Sequence, residues 1–227
     1  MEIKKVKKIV LLGDSIRLGY DKYVKMAFED IAEVYYPAVN CCFASYLLRY
    51  LYDWKLKMGC GDDVDLVHWN AGLWDTLILL DGENHTPIAE YAAYVERICR
   101  TIDMLYPNAK MVFATSTTAQ EELYVDYKRS NKDVVKYNEV AVEIVKRYGG
   151  QIDDLYTLTN EAPKEYHSDK VHFYTKEGTR MLSNQVISCI EEILDIKAKP
   201  LDYDALFAEV KDFIDIDSPY FSFDKFM

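Results

Sequence analysis

Ile9, Val10, Leu11 and Leu12 form an unbroken apolar run that stops at Gly13-Asp14-Ser15. A strand buried on both faces reads this way, and such strands belong to parallel sheets covered by helices. Gly13 lets the chain turn where a side chain would clash. Ser15 then stands at the carboxyl end of the strand, the edge of an open α/β sheet where ligands bind. A serine in that place becomes a nucleophile only when a base reaches it.

The rest of the chain repeats the alternation. After a strand over Lys7 to Leu12, Tyr23, Met26, Ala27 and Ile31 recur at helical spacing and predict a helix over Tyr20 to Asp30. Ala32 to Tyr36 reads as a second strand, stopped by Pro37. Leu47, Leu48, Leu51 and Trp54 stripe a helix over Ser45 to Met58, ended by Gly59 and Gly61. Val64 to Trp69 is a third strand, and it delivers Asn70 to Asp75 to the edge that holds Ser15. A helix over Pro87 to Tyr106 and a fourth strand over Lys110 to Ala114 follow. The stretch 119–130 has no period and reads as a lid or pocket loop. Asn131 is the expected cap of a helix over Lys132 to Tyr148. A short strand over Gln151 to Asp154 and a helix over Lys176 to Ile196, capped by Thr175, complete the pattern.

Five strands, each followed by a helix or helical connection, predict an α/β fold with a five-stranded parallel sheet between helical layers. One domain is expected over residues 1–199. Residues 200–227 form an appendix rather than a separate domain, with Leu206, Phe207, Val210, Phe213 and Ile214 on one face of a short helix. Its aromatic end, Asp215 to Met227, either packs on its own domain or reaches a second copy of the chain as a homo-oligomer arm.

Composition narrows the function. The net charge of −11 would repel a polyphosphate, so no nucleic-acid partner is expected. The first apolar run is too short for a signal peptide or a membrane span, which predicts a cytoplasmic protein without membrane association. Five cysteines, odd in number and without a C-x-x-C pair, fit reduced thiols. Cys41 and Cys42 read as small buried residues rather than a redox pair.

Serine needs a base near pKa 7, and histidine is that residue. Asp169 precedes His172 by three residues, a spacing that lets the carboxylate fold back and orient the imidazole. His167 is the nearby alternative without that spacing. His68 alternates with apolar neighbours and reads as a core or surface residue, and His85 lies in a polar loop. No ligand cluster points to a metal.

Together, Gly13-Asp14-Ser15-Ile16 and Asp169-x-x-His172 resemble the GDSL, or SGNH, hydrolase family over roughly residues 7 to 195. The resemblance implies the flavodoxin-like strand order 2-1-3-4-5. It also implies a serine esterase that needs no cofactor, with Ser15 as nucleophile, His172 as base and Asp169 as orienting acid. An oxyanion hole is implied from the Ser15 N–H, a glycine N–H in the family's second block and an asparagine amide in its third. The chain departs from both middle blocks. Cys42 stands in the second, where its backbone N–H still serves, and Gly72-Leu73-Trp74-Asp75 replaces Gly-x-Asn-Asp in the third. Asn70 is the nearest amide. Asp14 is read as a structural acceptor, and with Gly72 and Trp74 it borders the expected substrate position. The implied substrate is a small-molecule or glycan ester, such as an O-acetyl group on a carbohydrate. An acyltransferase with the same triad is the nearest alternative, and a silent glycan-binding module is the alternative of another class.

Overall fold

The computed structural model describes residues 6–125 and 127–210. Five parallel strands, β1 (Lys7–Leu12), β2 (Ala32–Tyr35), β3 (Leu66–Trp69), β4 (Lys110–Ala114) and β5 (Gln151–Asp153), form one sheet in the order β2-β1-β3-β4-β5. The register pairs Ile9 with Val34 and Leu66, His68 with Val112, and Phe113 with Ile152. β3 is thus the central strand, and β1 lies beside it, between β2 and β3.

Helices cover both faces: α1 (Ser15–Ala27), α2 (Ala44–Met58), α3 (Ile88–Leu105), α4 (Asn131–Arg147), α5 (Leu155–Asn160), α6 (Lys176–Leu194) and α7 (Tyr203–Val210). Alternation along each strand divides the core. Val10, Leu12, Val67, Trp69 and Phe113 meet α2, α3 and α4 through Leu47, Leu51, Val95, Ile98 and Ile144. Ile9, Leu11, Leu66 and Val112 meet α1 and α6 through Ile16, Tyr20, Val24, Val186 and Ile190. Each fully buried branched aliphatic side chain contributes about 1.5–3 kcal/mol, so this two-sided sheet is the main source of stability.

Several boundaries differ from expectation for local reasons. The first helix starts at Ser15 and not at Tyr20, because Asp14 caps it by accepting from the Ile16 N–H at 2.9 Å. Asn131 is the first residue of α4 rather than its cap. Its carboxamide grips Ala119 instead, accepting from the N–H at 2.9 Å and donating to the carbonyl at 2.8 Å. Thr175 does cap α6, accepting from Gly178 N–H at 3.1 Å. The appendix begins on its own domain: Tyr203 stacks on Tyr23 at 5.5 Å and donates to Asn184 at 2.9 Å. Phe213, Ile214 and the segment Asp215 to Met227 lie outside the described residues. No helix among the described residues is long and apolar enough to cross a membrane.

Candidate active site

The carboxyl ends of β1, β3 and β4 bring three segments together. β1 ends in the Gly13-Asp14-Ser15 turn, β3 in Asn70, and β4 in Thr115 to Thr118. Ser15 is the first residue of α1 and only 4 % exposed. Its Oγ lies 2.8 Å from His172 Nε2, and His172 Nδ1 lies 2.7 Å from Asp169 Oδ2. The other Asp169 oxygen accepts from the backbone N–H groups of Val171 and His172, both at 2.8 Å. The three-residue spacing therefore folds as expected, into a turn that holds carboxylate and imidazole together. Burial alone would raise the Asp169 carboxyl. The His172 hydrogen bond and charge, with the two backbone donors, bring it down to about 2.

His172, and not His167, reaches the serine. His167 stacks on Phe173 at 3.9 Å. His68 is fully buried beneath the sheet edge, with Nε2 3.0 Å from Asp153 Oδ2, and His85 packs on Phe43. Among the described residues no group of three or more His, Cys, Asp or Glu is placed to hold a metal ion.

Asp14 is fully buried in the serine turn, where its Oδ1 accepts from the Ile16 N–H at 2.9 Å. Burial raises its carboxyl, while Asn70, the Ile16 N–H and the charges of His172 and Arg129 pull it back. Asn70 leaves β3 under the same turn. A Cβ on Gly13 would meet Asn70 Oδ1 at 1.9 Å, so glycine is needed for the amide to approach. Gly72 is buried as well, and Ser116 Oγ and Tyr91 Oη occupy the space its side chain would take. Trp74 is half-buried, and Asp75 next to it accepts from the Ala44 N–H at 3.1 Å.

Cys42 adopts a left-handed backbone with φ 51°, where glycine is favoured. Its N–H donates to Asn40 Oδ1 at 2.7 Å. The predicted donor is thus already engaged by a side chain two residues back. All five cysteines are unpaired thiols, and burial pushes those of Cys41 and Cys42 up to about 11 and about 12.

Four groups near the triad were not anticipated. Tyr174 donates from its hydroxyl to the Ser15 carbonyl. Arg17, two residues after Ser15 on α1, is fully buried; it pairs with Asp21 and donates to the carbonyls of Pro37 and Val39, tying the Cys42 loop to the serine turn. Asn138 holds Ser116 by two backbone hydrogen bonds, at 2.8 and 3.0 Å. Arg129 lies in the stretch 119–130. That stretch joins Ile78 through Lys128 and the Asp169 loop through Gln120, whose N–H donates to the Lys170 carbonyl at 2.9 Å. Tyr174 and Arg129 lie in loops and Arg17 and Asn138 are single polar residues within helices, so none gives a periodic signal that sequence alone could read.

No protein-family model matches the chain, and no curated protein matches it. Solved structures do. A lipase/acylhydrolase from Enterococcus faecalis is similar over 86% of this chain and 100% of its own, with 21% identity and a TM-score of 0.65. The acetyl xylan esterase AlAXEase is similar over 81% of this chain and 99% of its own, with 17% identity and a TM-score of 0.63. An acetylxylan esterase from Geobacillus stearothermophilus, solved as a catalytic mutant, is similar over 83% and 95%, with 14% identity and a TM-score of 0.60. With its five parallel strands in the order β2-β1-β3-β4-β5, the chain has the α/β fold of the SGNH hydrolases.

Proposed function

We propose that this protein is a serine esterase in which Ser15, His172 and Asp169 act as nucleophile, base and orienting acid. The observation that carries the reading is the unbroken chain from Ser15 Oγ through both imidazole nitrogens to the Asp169 carboxylate, with contacts of 2.8 and 2.7 Å. As Oγ attacks the ester carbonyl, its proton passes to His172 Nε2. The imidazolium is stabilised by an Asp169 carboxyl that stays ionised throughout. His172 then returns the proton to the departing alcohol, leaving an acyl group on Ser15. Water, deprotonated by the same nitrogen, releases it as a carboxylate. The Ser15 N–H, the Asn70 amide and the Cys42 N–H are the donors for the oxyanion, the last after release from Asn40. The similar structures named for acyl hydrolysis and for acetylxylan esterase activity support a small acyl ester, with an O-acetylated carbohydrate as the finer reading.

A fluorophosphonate should label Ser15, as mapped by mass spectrometry, and Ser15→Ala should abolish both label and hydrolysis of 4-nitrophenyl acetate. An adduct on another serine would move the site. No adduct and no hydrolysis would leave a binding module on a hydrolase fold.

A further inference from the structure

Two arginines are buried near the serine turn, and among the described residues only one of them has a carboxylate within ion-pairing distance. Arg17 is fully buried and pairs with Asp21. Arg129 is 8 % exposed, yet among the described residues no carboxylate lies within ion-pairing distance of its guanidinium. Its Nη1 donates to the Tyr124 hydroxyl, Nε is buried with no partner, and Nη2 makes no hydrogen bond among the described residues. Arginine keeps its charge even when desolvated. A buried cation without a counter-ion is costly unless something else supplies the anion.

The surroundings place this cation at the triad. Its charge acts on Asp14, the neighbour of Ser15, and Tyr124 lies within the electrostatic reach of Asp169. Lys170, next to Asp169, holds its ammonium 4.7 Å from the Tyr124 ring centroid, and the Arg129 guanidinium is 5.6 Å from the same centroid. Tyr124 is thus bracketed by two cations, Arg129 from its own stretch and Lys170 from the loop that carries Asp169 and His172. The departing alcohol takes its proton from His172, so this is the alcohol's side of the site. The net charge of −11 makes a general attraction for anions implausible and a local one necessary.

We propose that Arg129, aided by Lys170, binds a carboxylate carried by the alcohol part of the ester, so that the substrate class is an acylated hydroxy acid, such as an O-acetylated acidic sugar. The proposal rests on the esterase reading above. A guanidinium offers two parallel N–H groups to a carboxylate, and Tyr124 occupies only one of its terminal nitrogens.

The test compares phenyl acetate with 3-acetoxybenzoate, and adds a phenyl acetate bearing a phosphate at the same ring position. Wild-type protein should favour the carboxylate ester in kcat/KM by roughly 10-fold to 100-fold, the range of a charged hydrogen bond. Arg129→Gln should lower kcat/KM for 3-acetoxybenzoate by roughly 10-fold to 100-fold more than for phenyl acetate and so abolish that preference, and Arg129→Lys should restore part of it. Calorimetry with 3-hydroxybenzoate, the released alcohol, reads binding without catalysis: wild type should bind, and Arg129→Gln should not. Equal rates on both acetates with no binding of 3-hydroxybenzoate would overturn the proposal, as would an equal loss on both esters in folded Arg129→Gln. A preference for the phosphate ester would overturn the carboxylate. Failure to hydrolyse any ester, with 3-hydroxybenzoate still bound through Arg129, would sink the esterase reading and keep the anion site.

Discussion

The Tyr174 ring stacks on His172, centroids 4.7 Å apart and planes 19° from parallel, and its hydroxyl donates to the Ser15 carbonyl. One side chain thus touches both the base and the backbone of the nucleophile. Burial raises the Tyr174 phenol well above its ordinary value, so it remains a donor at any working pH. Tyr174→Phe should keep the stack and lose the hydrogen bond. A neutral hydrogen bond contributes about 0.5–1.5 kcal/mol, so kcat should fall roughly twofold to tenfold. Tyr174→Leu, which also removes the stacked ring, should cost more. The rate of fluorophosphonate labelling checks both; equal labelling in all three proteins would reduce Tyr174 to a packing residue.

Asp169 should matter through the imidazole it orients. Asp169→Asn should lower kcat by about 10⁴, the loss seen when the orienting acid of a serine protease becomes an amide. His167→Ala should leave kcat near wild type, because that ring stacks on Phe173. The folded carboxyl titrates near 2, below its unfolded value of about 4. Its contribution to stability is therefore present above about pH 4 and lost as pH falls toward 2. Stability curves of wild type and Asp169→Asn should converge over that window; a constant gap would mean that Asp169 is not held ionised by the fold.

Asp75 carries the opposite sign. Burial pushes its carboxyl up to about 6, against the Thr86 side chain and the Ala44 N–H that favour the ionised form. The folded chain then holds this proton more tightly than the unfolded one. Stability should fall as pH rises from about 4 to about 6, by on the order of 3 kcal/mol, and be level above that. Asp75→Asn keeps an oxygen for Ala44 and removes the titration. Its stability relative to wild type should therefore rise between pH 4 and 6, as read by urea unfolding. Parallel curves would show that Asp75 is ionised across the range.

The fold was legible because each strand announces itself twice. Ile9 to Leu12 is apolar at every position, and the helices around it repeat at 3.6 residues. The long-range pairing of Ser15 with His172 was legible only through the two end motifs, since nothing local in 157 residues of separation links them. What stayed hidden is what a single polar residue decides. Asp14 moved the start of α1 by five residues, from the expected Tyr20 to Ser15, through one hydrogen bond. Asn131 left its cap position to clamp Ala119. α5, six residues long, is too short to show a period, although Asp154 caps it by accepting from Thr157 N–H at 3.0 Å. Arg129 and Tyr174 lie in segments with no repeat at all, and only the folded chain places them beside the triad.

The oxyanion donors are where this chain departs furthest from the pattern it resembles. Cys42 stands at φ 51°, a conformation that costs a non-glycine residue roughly 1–2 kcal/mol, and its N–H is turned toward Asn40 Oδ1. Cys42→Gly keeps that N–H and relieves the backbone. It should raise the melting temperature and leave kcat unchanged, because the thiol has no part in the chemistry. Asn70 is the more exposed wager. Its carboxamide presses against Gly13 and hydrogen-bonds Asp14, while its Oδ1 is buried without a partner, so both packing and Asp14 hold the amide beneath the serine turn. An oxyanion forms only in the transition state, and a preorganised donor lowers the barrier without tightening substrate binding equally. Asn70→Ala should therefore lower kcat by roughly 10²–10³, about 2.7–4 kcal/mol, with KM nearly unchanged. Trp74→Ala, at a half-buried indole on the same segment, should instead raise KM. Steady-state kinetics on 4-nitrophenyl acetate, with circular dichroism to confirm folding, separates the two. A folded Asn70→Ala protein with wild-type kcat would remove Asn70 from the oxyanion hole, leaving the backbone N–H groups of Ser15 and Cys42 to carry the developing charge.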